Sequence, residues 1–456
     1  MKNIPAAFAE YITADLGEET AAPLLCALRE EQQSQAVRLN PAKPSPLSPE
    51  GESVEWWDAG RYYSPEESFT LDPVFHAGGY YVQDSSSMFV AHVVRELTRG
   101  MGPLVVIDAC AAPGGKTTAA IDALPAGSLV IANEIVPARC AVLKENIIKW
   151  GYPSAIVTRG DTAALSKLGP VADIVIADVP CSGEGMMRKE QVAAEQWSRG
   201  LVEACVVRQQ EIVDNLWKTI RPGGYMIYST CTFNRSEDEL MVRYIIDHLG
   251  GMSVRVPSGD FPSVAPAIGD DEIYCYRFMP HLTSGGGLFM AVIQKPGQLS
   301  PHTLKPQSGK NRGKEKVKIL DGTKSLIAPA EEMTFNVADD HINAFPSRWQ
   351  PLLRRIDDTT DLLHHGIPVA TIKGRDIIPA HALALSAALA PDAFPRVALD
   401  KSQALEYLRR NPIAMPDGTP RGYVIVTYGG LPLGFVKNLG NRANNLYPPD
   451  YRIRFK

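Results

Sequence analysis

An alternation of short apolar segments with amphipathic segments begins near residue 104 and constrains the fold more than any other feature of the sequence. This alternation is typical of a doubly wound, mostly parallel α/β sheet with helices on both faces. Ligands of such sheets bind outside the carboxyl ends of the strands, so the strand ends are the first candidates for chemistry. The predicted strands cover residues 104–108, 128–134, 154–161, 172–181 and 224–231, with 251–257 and 287–295 as candidates to extend the sheet.

The composition excludes several classes of protein. A chain of 456 residues has room for two or three domains, and a net charge of −5 argues against a wholly basic nucleic-acid coat. Glu10 and Asp15 interrupt the amino-terminal segment where a signal peptide is apolar, and no later run approaches membrane-spanning length. We therefore expect a cytoplasmic monomer without a membrane segment, whose RNA affinity, if any, comes from local surfaces.

The seven cysteines are scattered and never occur in the close pairs that bind zinc, so we expect neither a disulfide framework nor a metal site. Cys181 and Cys231 follow neighbouring predicted strands on the ligand side of the sheet. For the other cysteines outside the glycine-rich turn we expect the usual role of a small, inert core residue. These are Cys26, Cys140, Cys205 and Cys275.

The regions on either side of the predicted sheet differ in composition. Arg38 and Asn40, in the first region, are candidates for RNA contact or for plain surface residues. A strand over 423–428, a turn and a partner strand over 433–436 are predicted near the carboxyl terminus. A phosphate-binding face, or only a solvated surface, is predicted there from Lys437, Arg442, Arg452, Arg454 and Lys456. The predicted regions are an amino-terminal region over 1–95, a catalytic domain over 96–297, a flexible basic linker over 298–329 and a carboxyl-terminal region over 330–456.

A glycine-rich turn, Ala-Cys-Ala-Ala-Pro-Gly-Gly-Lys-Thr, follows the first predicted strand. It nearly spells a phosphate-binding P-loop, but Cys110 stands where that motif needs its first glycine. A nucleotide-like cofactor fits better than a purely structural turn, because acidic residues stand at the ends of the next three strands. Such acids suit ribose hydroxyls, an amino group and a sulfonium, which occur together in S-adenosylmethionine. The three acids are Glu134, Asp161 and Asp178.

Two cysteines at neighbouring strand ends fit methylation of carbon 5 of cytosine. That carbon is a poor nucleophile, but a thiolate that adds to carbon 6 makes it enamine-like and able to take a methyl group. An acid near N3 would stabilise the adduct, and a base must remove the carbon 5 proton before the thiolate leaves. One of the two, Cys181 or Cys231, must attack.

Three segments resemble motifs of the Sun-type RNA 5-methylcytosine methyltransferases: the PGGKT turn, the D-V-P-C-S-G segment that begins at Asp178, and the S-T-C segment that ends at Cys231. The resemblance spans residues 75–295 and implies a Rossmann-like methyltransferase sheet that binds S-adenosylmethionine. It also implies that Cys231 is the nucleophile, that Cys181 assists product release, and that Asp178 lies near the target base as a base or N3 contact. The implied cofactor pocket is lined by Cys110, Ala111, Ala112, Pro113, Gly114, Gly115, Lys116, Glu134, Asp161 and Asp178.

The long carboxyl-terminal extension resembles the RsmF type of this family, which modifies small-subunit (16S) ribosomal RNA and ends in a PUA-like RNA-binding fold. The resemblance therefore implies RNA-binding regions at both ends and ribosomal RNA, or the small ribosomal subunit, as partner. Transfer RNA as substrate, and a ribosome-assembly or RNA-binding factor without catalysis, remain alternatives. A DNA cytosine methyltransferase would attack with the cysteine of its proline-cysteine motif, and the additional Cys231 favours RNA. An adenine amino-methyltransferase would carry an aromatic residue where Cys181 and Ser182 stand.

Overall fold

The computed structural model describes residues 3–30, 35–64, 68–257, 261–302, 318 and 321–454. Most of the predicted basic linker, and Lys456, lie outside these residues. The elements of the amino-terminal region are α1 (Ala6–Leu16), α2 (Glu18–Arg29), β1 (Ala36–Leu39), β2 (Ser53–Val54), β3 (Trp57–Tyr62), α3 (Pro73–His76) and β4 (Tyr80–Val82). The four strands form an antiparallel sheet in the order β2-β3-β1-β4. α1 and α2 pack against each other and against residues of the central region that include Met187, Trp197 and Phe233.

The central region alternates strands and helices as predicted. Its first elements are α4 (Phe89–Leu97), β5 (Val105–Asp108), α5 (Gly115–Ala123), β6 (Leu129–Glu134), α6 (Pro137–Trp150), β7 (Ala155–Arg159) and α7 (Thr162–Ser166). They are followed by β8 (Ala172–Asp178), α8 (Gln191–Gln196), α9 (Arg199–Trp217), β9 (Ile220–Thr230), α10 (Glu239–Leu249), β10 (Met252–Ser253), β11 (Cys275–Phe278) and β12 (Leu288–Gln294).

The carboxyl-terminal region is also mixed α/β. The predicted pair of strands near its end is confirmed, with Gly429 and Gly430 in the turn. Its elements are β13 (Met333–Ala338), β14 (His341–Pro346), α11 (Gln350–Asp357), β15 (Asp361–His365), β16 (Ile367–Lys373), β17 (Asp376–Pro379), α12 (His381–Leu385), β18 (Arg396–Ala398), α13 (Lys401–Leu408), β19 (Gly422–Tyr428), β20 (Leu431–Asn438) and β21 (Ala443–Asn445). Two sheets result, ordered β13-β14-β16-β17 and β18-β19-β20-β21.

The central sheet confirms the doubly wound fold. Its order is β10-β12-β9-β8-β5-β6-β7-β15, β11 also pairs with β12, and β5 to β9 run parallel to their neighbours among themselves. Alternate residues of β5 face opposite cores, with Val106 on the side of α4, α5 and α6, and Val105 and Ile107 on the side of α7, α9 and α10. Because both faces are buried, these strands are continuously apolar. The chain reverses its winding direction between β6 and β8 on either side of β5, which is where such sheets bind ligands.

The carboxyl-terminal region packs directly against the central sheet. β15 pairs antiparallel with β7 and forms the edge strand of the central sheet. Trp349 is fully buried in the core beneath that sheet, and its indole N–H donates to the Gly127 carbonyl at 2.8 Å. The region predicted to begin at residue 330 therefore contributes an edge strand and a buried tryptophan to the central sheet and its core.

Arg38 is buried, which corrects its assignment to the surface or to RNA contact. Its guanidinium stacks 4.5 Å from the Trp150 ring centroid, pairs with Asp122, and donates to Gln83 at 2.8 Å and to Thr118 at 2.5 Å. Asp122 and Thr118 belong to α5. Arg38 thus fastens the amino-terminal sheet to the helix that follows the glycine-rich turn.

Among the described residues, none of the helices combines the length and apolar character that crossing a membrane requires.

Candidate active site

The turn between β5 and α5 is fixed by contacts from outside it. The Pro113 carbonyl accepts hydrogen bonds from the Tyr81 hydroxyl at 3.1 Å and the Asn146 amide at 2.9 Å. Gly114 has a φ of 107°, in the left-handed region that favours glycine. α5 begins at Gly115, so its first N–H groups, which lack intrahelical acceptors, face this turn. These donors suit an anionic group such as a carboxylate.

Two buried carboxylates at the ends of β5 and β6 each have an oxygen that accepts no hydrogen bond from the described residues, namely Asp108 Oδ1 and Glu134 Oε2. Glu134 Oε2 does have an ion-pair partner, the Arg139 guanidinium at 3.2 Å. The other oxygen of Asp108 accepts from the Thr117 hydroxyl at 2.6 Å, and Glu134 Oε1 accepts the N–H groups of the next two residues at 2.9 Å each. Burial raises the pKa of Asp108 to about 7. A buried oxygen without a hydrogen bond carries a desolvation cost, so both atoms suit the donors of a bound ligand, which at Glu134 would share Oε2 with Arg139.

An apolar surface lies directly beside Glu134. Ile135 and Val136 are 59% and 42% exposed, which is unusual for large aliphatic side chains next to a buried strand. A carboxylate for ribose hydroxyls, an apolar surface for a purine and helix N–H groups for a carboxylate occur together here. The residues present therefore fit S-adenosylmethionine.

Asp161 and Asn133 lie near strand ends, but both make hydrogen bonds with the protein backbone. Asp161 lies beyond β7, is exposed, and caps α7 by accepting the Ala164 N–H at 2.7 Å. Asn133, which the sequence analysis missed, donates to the carbonyls of Ala109 and Gly160 at 3.1 and 2.9 Å. It thus joins the ends of three strands. A cofactor contact by Asp161 stays a prediction.

Lys116 belongs to the glycine-rich turn in sequence, but its side chain lies among the residues predicted to be catalytic. Its ammonium is 2.8 Å from Asp178 Oδ2, while the Ser229 hydroxyl donates to Asp178 Oδ1 at 2.7 Å. Burial alone would lower the pKa of Lys116, but the charge and hydrogen bond of Asp178, together with Cys231, raise it. The structure therefore holds a charged ammonium within electrostatic reach of the Cys231 thiol.

Cys181 and Cys231 are brought together, with their Sγ atoms 3.2 Å apart and both side chains partly exposed. The adjacent strands β8 and β9 explain this, because Asp178 and Ser229 lie in register at the ends of these strands. The hydrogen bond with Cys231, together with burial, raises the pKa of Cys181 well above that of an ordinary thiol. Cys181 therefore keeps its proton and can donate it to a Cys231 thiolate.

The remaining cysteines separate into buried and exposed residues. Cys140, Cys205 and Cys275 are buried, as predicted for inert core residues. The prediction for Cys26 is wrong, because this side chain is exposed on α2. Cys110 lies in the glycine-rich turn, where burial and neighbouring carboxylates raise its pKa. Cys110 therefore stays a thiol, which suits a pocket-lining residue rather than a nucleophile.

Three family models match consecutive parts of the chain. A model of the 16S rRNA methyltransferases RsmB/F matches residues 102–294, one of the RsmF amino-terminal domain matches 4–85, and one of the RsmF PUA domain matches 394–453. The chain belongs to the RsmB/F methyltransferase family. Members of this family use S-adenosylmethionine, in agreement with the fit of the pocket between β5 and β6.

Curated relatives of this RsmB/F chain match most of its length. Ribosomal RNA small subunit methyltransferase F of Shewanella loihica is 28% identical over 88% of this chain and 83% of its own. The protein of the same name from Aliivibrio fischeri is 29% identical over 87% and 85%. Among solved structures, NSun6 from Pyrococcus horikoshii with SFG, an S-adenosylmethionine analogue, has a TM-score of 0.57 at 22% identity, covering 64% of this chain and 99% of that one. This last likeness shows the fold.

Two buried glutamates that the sequence analysis missed connect the cysteine loops of this RsmB/F chain. Glu184, three residues after Cys181, accepts the backbone N–H groups of Phe233 and Asn234 at 2.7 and 3.1 Å. Glu237 accepts bonds from residues on both loops. For Glu184 the signal available in the sequence was an acid within the otherwise small or apolar segment 180–187, since buried carboxylates need dedicated donors. Glu237 lies among other charged residues, so the sequence offered no such signal for it.

The amino-terminal region closes one side of the RsmB/F site. Asp84 accepts from the Lys189 ammonium at 3.0 Å and from the Gly286 N–H at 2.8 Å. The carbonyls of Gly286 and Cys231 would each lie 2.9 Å from a Cβ at position 185, so only glycine fits there. Segments that are distant in sequence thus meet at the loop that follows β8.

Proposed function

We propose that this chain transfers a methyl group from S-adenosylmethionine to carbon 5 of a cytosine in small-subunit ribosomal RNA, with Cys231 as nucleophile. The observation that carries the proposal is the pair of thiols, Cys181 and Cys231, 3.2 Å apart at the ends of adjacent strands. A reaction that makes and breaks a covalent bond to sulfur has a use for two neighbouring thiols, whereas methylation of nitrogen or oxygen needs neither. The names of the curated relatives support ribosomal RNA as substrate.

In the attack step, the Cys231 thiolate forms a bond to carbon 6, and the electrons of the carbon 5–carbon 6 double bond move into the ring. Negative charge develops on the ring, and the Lys116 ammonium is the nearby cation that balances it. Asp178 accepts one bond on each oxygen, from Lys116 and Ser229, and a carboxylate accepts about four. We assign its remaining capacity to donors on the N3 side of the base.

S-adenosylmethionine supplies an electrophilic methyl group, which the electron-rich carbon 5 accepts. A base then removes the carbon 5 proton, its electrons restore the ring double bond, and the bond between Cys231 and carbon 6 breaks. The departing sulfur leaves as a thiolate. Cys181, which keeps its proton and lies 3.2 Å away, stabilises that thiolate with its S–H group. This assigns product release to Cys181.

RNA affinity is assigned to the carboxyl-terminal region, which contains the PUA match. Arg442, Arg452 and Arg454 are exposed there, so their guanidinium groups are available to phosphates. Lys437 is half-buried and pairs with Asp376 at 2.9 Å, so we leave it out of this surface.

The test is a methyl-transfer assay with labelled S-adenosylmethionine and three substrates: unmodified small ribosomal subunits, naked 16S ribosomal RNA and transfer RNA. Bisulfite sequencing then locates 5-methylcytosine. We expect label on cytosine in the small subunit or its RNA. Label confined to transfer RNA, or on another base, would contradict the proposal. Cofactor binding without transfer to any RNA would favour a non-catalytic assembly factor.

A further inference from the structure

Glu237 is a fully buried carboxylate that accepts four hydrogen bonds from neutral donors. Oε1 accepts from the Ser182 hydroxyl and from the Asn234 amide at 2.9 Å, and Oε2 accepts from the Ser182 N–H at 3.0 Å and the Gln209 amide at 2.8 Å. No cation pairs with it within the described part of the chain. Burying a charge without a counter-ion is costly, and here the four hydrogen bonds are what offset that cost.

These bonds hold the Cys181 loop more directly than the Cys231 loop. Two of the four come from Ser182, the residue next to Cys181, and Gln209 also donates to the Pro180 carbonyl at 3.0 Å. Both neighbours of Cys181 in the chain are therefore tied to Glu237, directly or through one side chain. Cys181 itself lies three residues beyond the end of β8.

Cys231 has anchors of its own. It directly follows Thr230, the last residue of β9, which pairs with Phe289 of β12. The hydroxyls of Thr230 and Thr232, on either side of Cys231, both donate to Asp238, at 2.6 and 3.0 Å. Loss of Glu237 therefore leaves Cys231 near its place while the Cys181 segment is released.

We propose that Glu237 is a positioning residue that holds Cys181 against Cys231, so that product release depends on it more than nucleophilic attack does. This inference rests on the proposed function, in which Cys181 assists release. The charge of Glu237 also contributes, after the hydrogen bond with Cys231 and burial, to raising the pKa of Cys181. Glu237 thus holds Cys181 in place and adds to the larger effects that raise its pKa.

The main test variant is Glu237→Gln in the full-length chain. Its amide nitrogen would face a donor at either oxygen position, Ser182 N–H and Gln209 at one and Asn234 at the other, so at least one of these hydrogen bonds is lost. Ser182→Ala is a milder second variant, which removes one bond and leaves the charge. Glu239→Gln is the matched control, because Glu239 is also buried but accepts from Ile268 and Arg277, while Ser182, Gln209 and Asn234 donate to Glu237.

The first readout is the denaturation-resistant protein–RNA adduct together with methyl transfer in a single turnover. For Glu237→Gln we expect the single-turnover rate of methylation to stay within about threefold of wild type. The multiple-turnover rate should fall by about tenfold, since one lost hydrogen bond to a buried charge is about a tenfold effect. The adduct fraction should be correspondingly larger. Ser182→Ala should change in the same direction by less. Glu239→Gln should lose thermal stability without a change in the adduct fraction.

The second readout uses the free protein and needs no RNA. The pH profile of Cys181 alkylation, followed by mass spectrometry, should move to lower pH in Glu237→Gln and stay in place in Glu239→Gln. If folded Glu237→Gln and Ser182→Ala match wild type in both readouts, the inference is wrong. If wild type itself transfers no methyl group to RNA, the proposed function fails instead, and the alkylation profile still decides whether Glu237 holds Cys181 protonated.

Discussion

Replacing each of the two cysteines that we propose to be catalytic by alanine should make the enzyme fail in opposite ways. Cys231→Ala lacks the attacking sulfur, so it should neither methylate RNA nor form an adduct at any pH. Cys181→Ala retains the nucleophile but removes the S–H group 3.2 Å from it. It should therefore attack, transfer the methyl group and stall as a covalent protein–RNA complex.

The magnitude follows from the single hydrogen bond lost in Cys181→Ala. A hydrogen bond to a charged group contributes about 1.5–3 kcal/mol, which corresponds to release slower by about 10-fold to 150-fold. Adduct should therefore accumulate with Cys181→Ala and remain a minor species with the wild type.

The assay resolves the covalent complex on a denaturing gel across pH, alongside single-turnover methylation. Cys26→Ala is the control, because Cys26 is exposed on α2, away from both cysteine loops, and its loss should change nothing. The reverse pattern, an adduct with Cys231→Ala and none with Cys181→Ala, would reassign the nucleophile to Cys181. No adduct with any variant or with a mechanism-trapping cytosine analogue would reject thiolate catalysis.

Four further outcomes follow from the structure. Glu134→Ala should weaken S-adenosylmethionine binding by about tenfold or more, because a charge-assisted contact is lost, and leave RNA binding unchanged; calorimetry with equal cofactor affinities would contradict the assignment. Trp349→Ala should destabilise the catalytic sheet by about 3–5 kcal/mol, although it lies in the carboxyl-terminal region, and chemical denaturation would measure this. Arg452→Glu with Arg454→Glu should weaken RNA binding and reduce its salt dependence without changing cofactor affinity; an unchanged salt slope would exclude phosphate contacts. Burial raises the pKa of Asp108 from 3.8 to about 7, so between these pH values the folded state binds more protons than the unfolded state. The free energy of unfolding should therefore fall as the pH rises across this range. Asp108→Asn should reduce this pH dependence, as measured by chemical denaturation at pH 5 and pH 7.

The sequence determined the architecture and the chemical inventory of this protein. Apolar segments with the period of buried strands, separated by amphipathic helices, are sufficient to predict a doubly wound sheet, since local patterning reflects which faces are covered. The motif residues at strand ends were identifiable because parallel strands bring their carboxyl ends to one edge. The prediction that Cys181 and Cys231 lie at neighbouring strand ends on the ligand side depended on this rule, and the 3.2 Å separation of their Sγ atoms agrees with it.

Contacts between distant segments were decided only by the tertiary structure. Arg38, Glu184 and Glu237 look like ordinary polar residues in the sequence, yet each is buried and saturated with partners up to 84 residues away. Likewise β15, about 200 residues after β7 in the chain, completes the catalytic sheet. Local patterning reports whether a segment has an apolar face, but not which distant donor or strand edge will satisfy its polar groups, because that depends on how all the layers pack together.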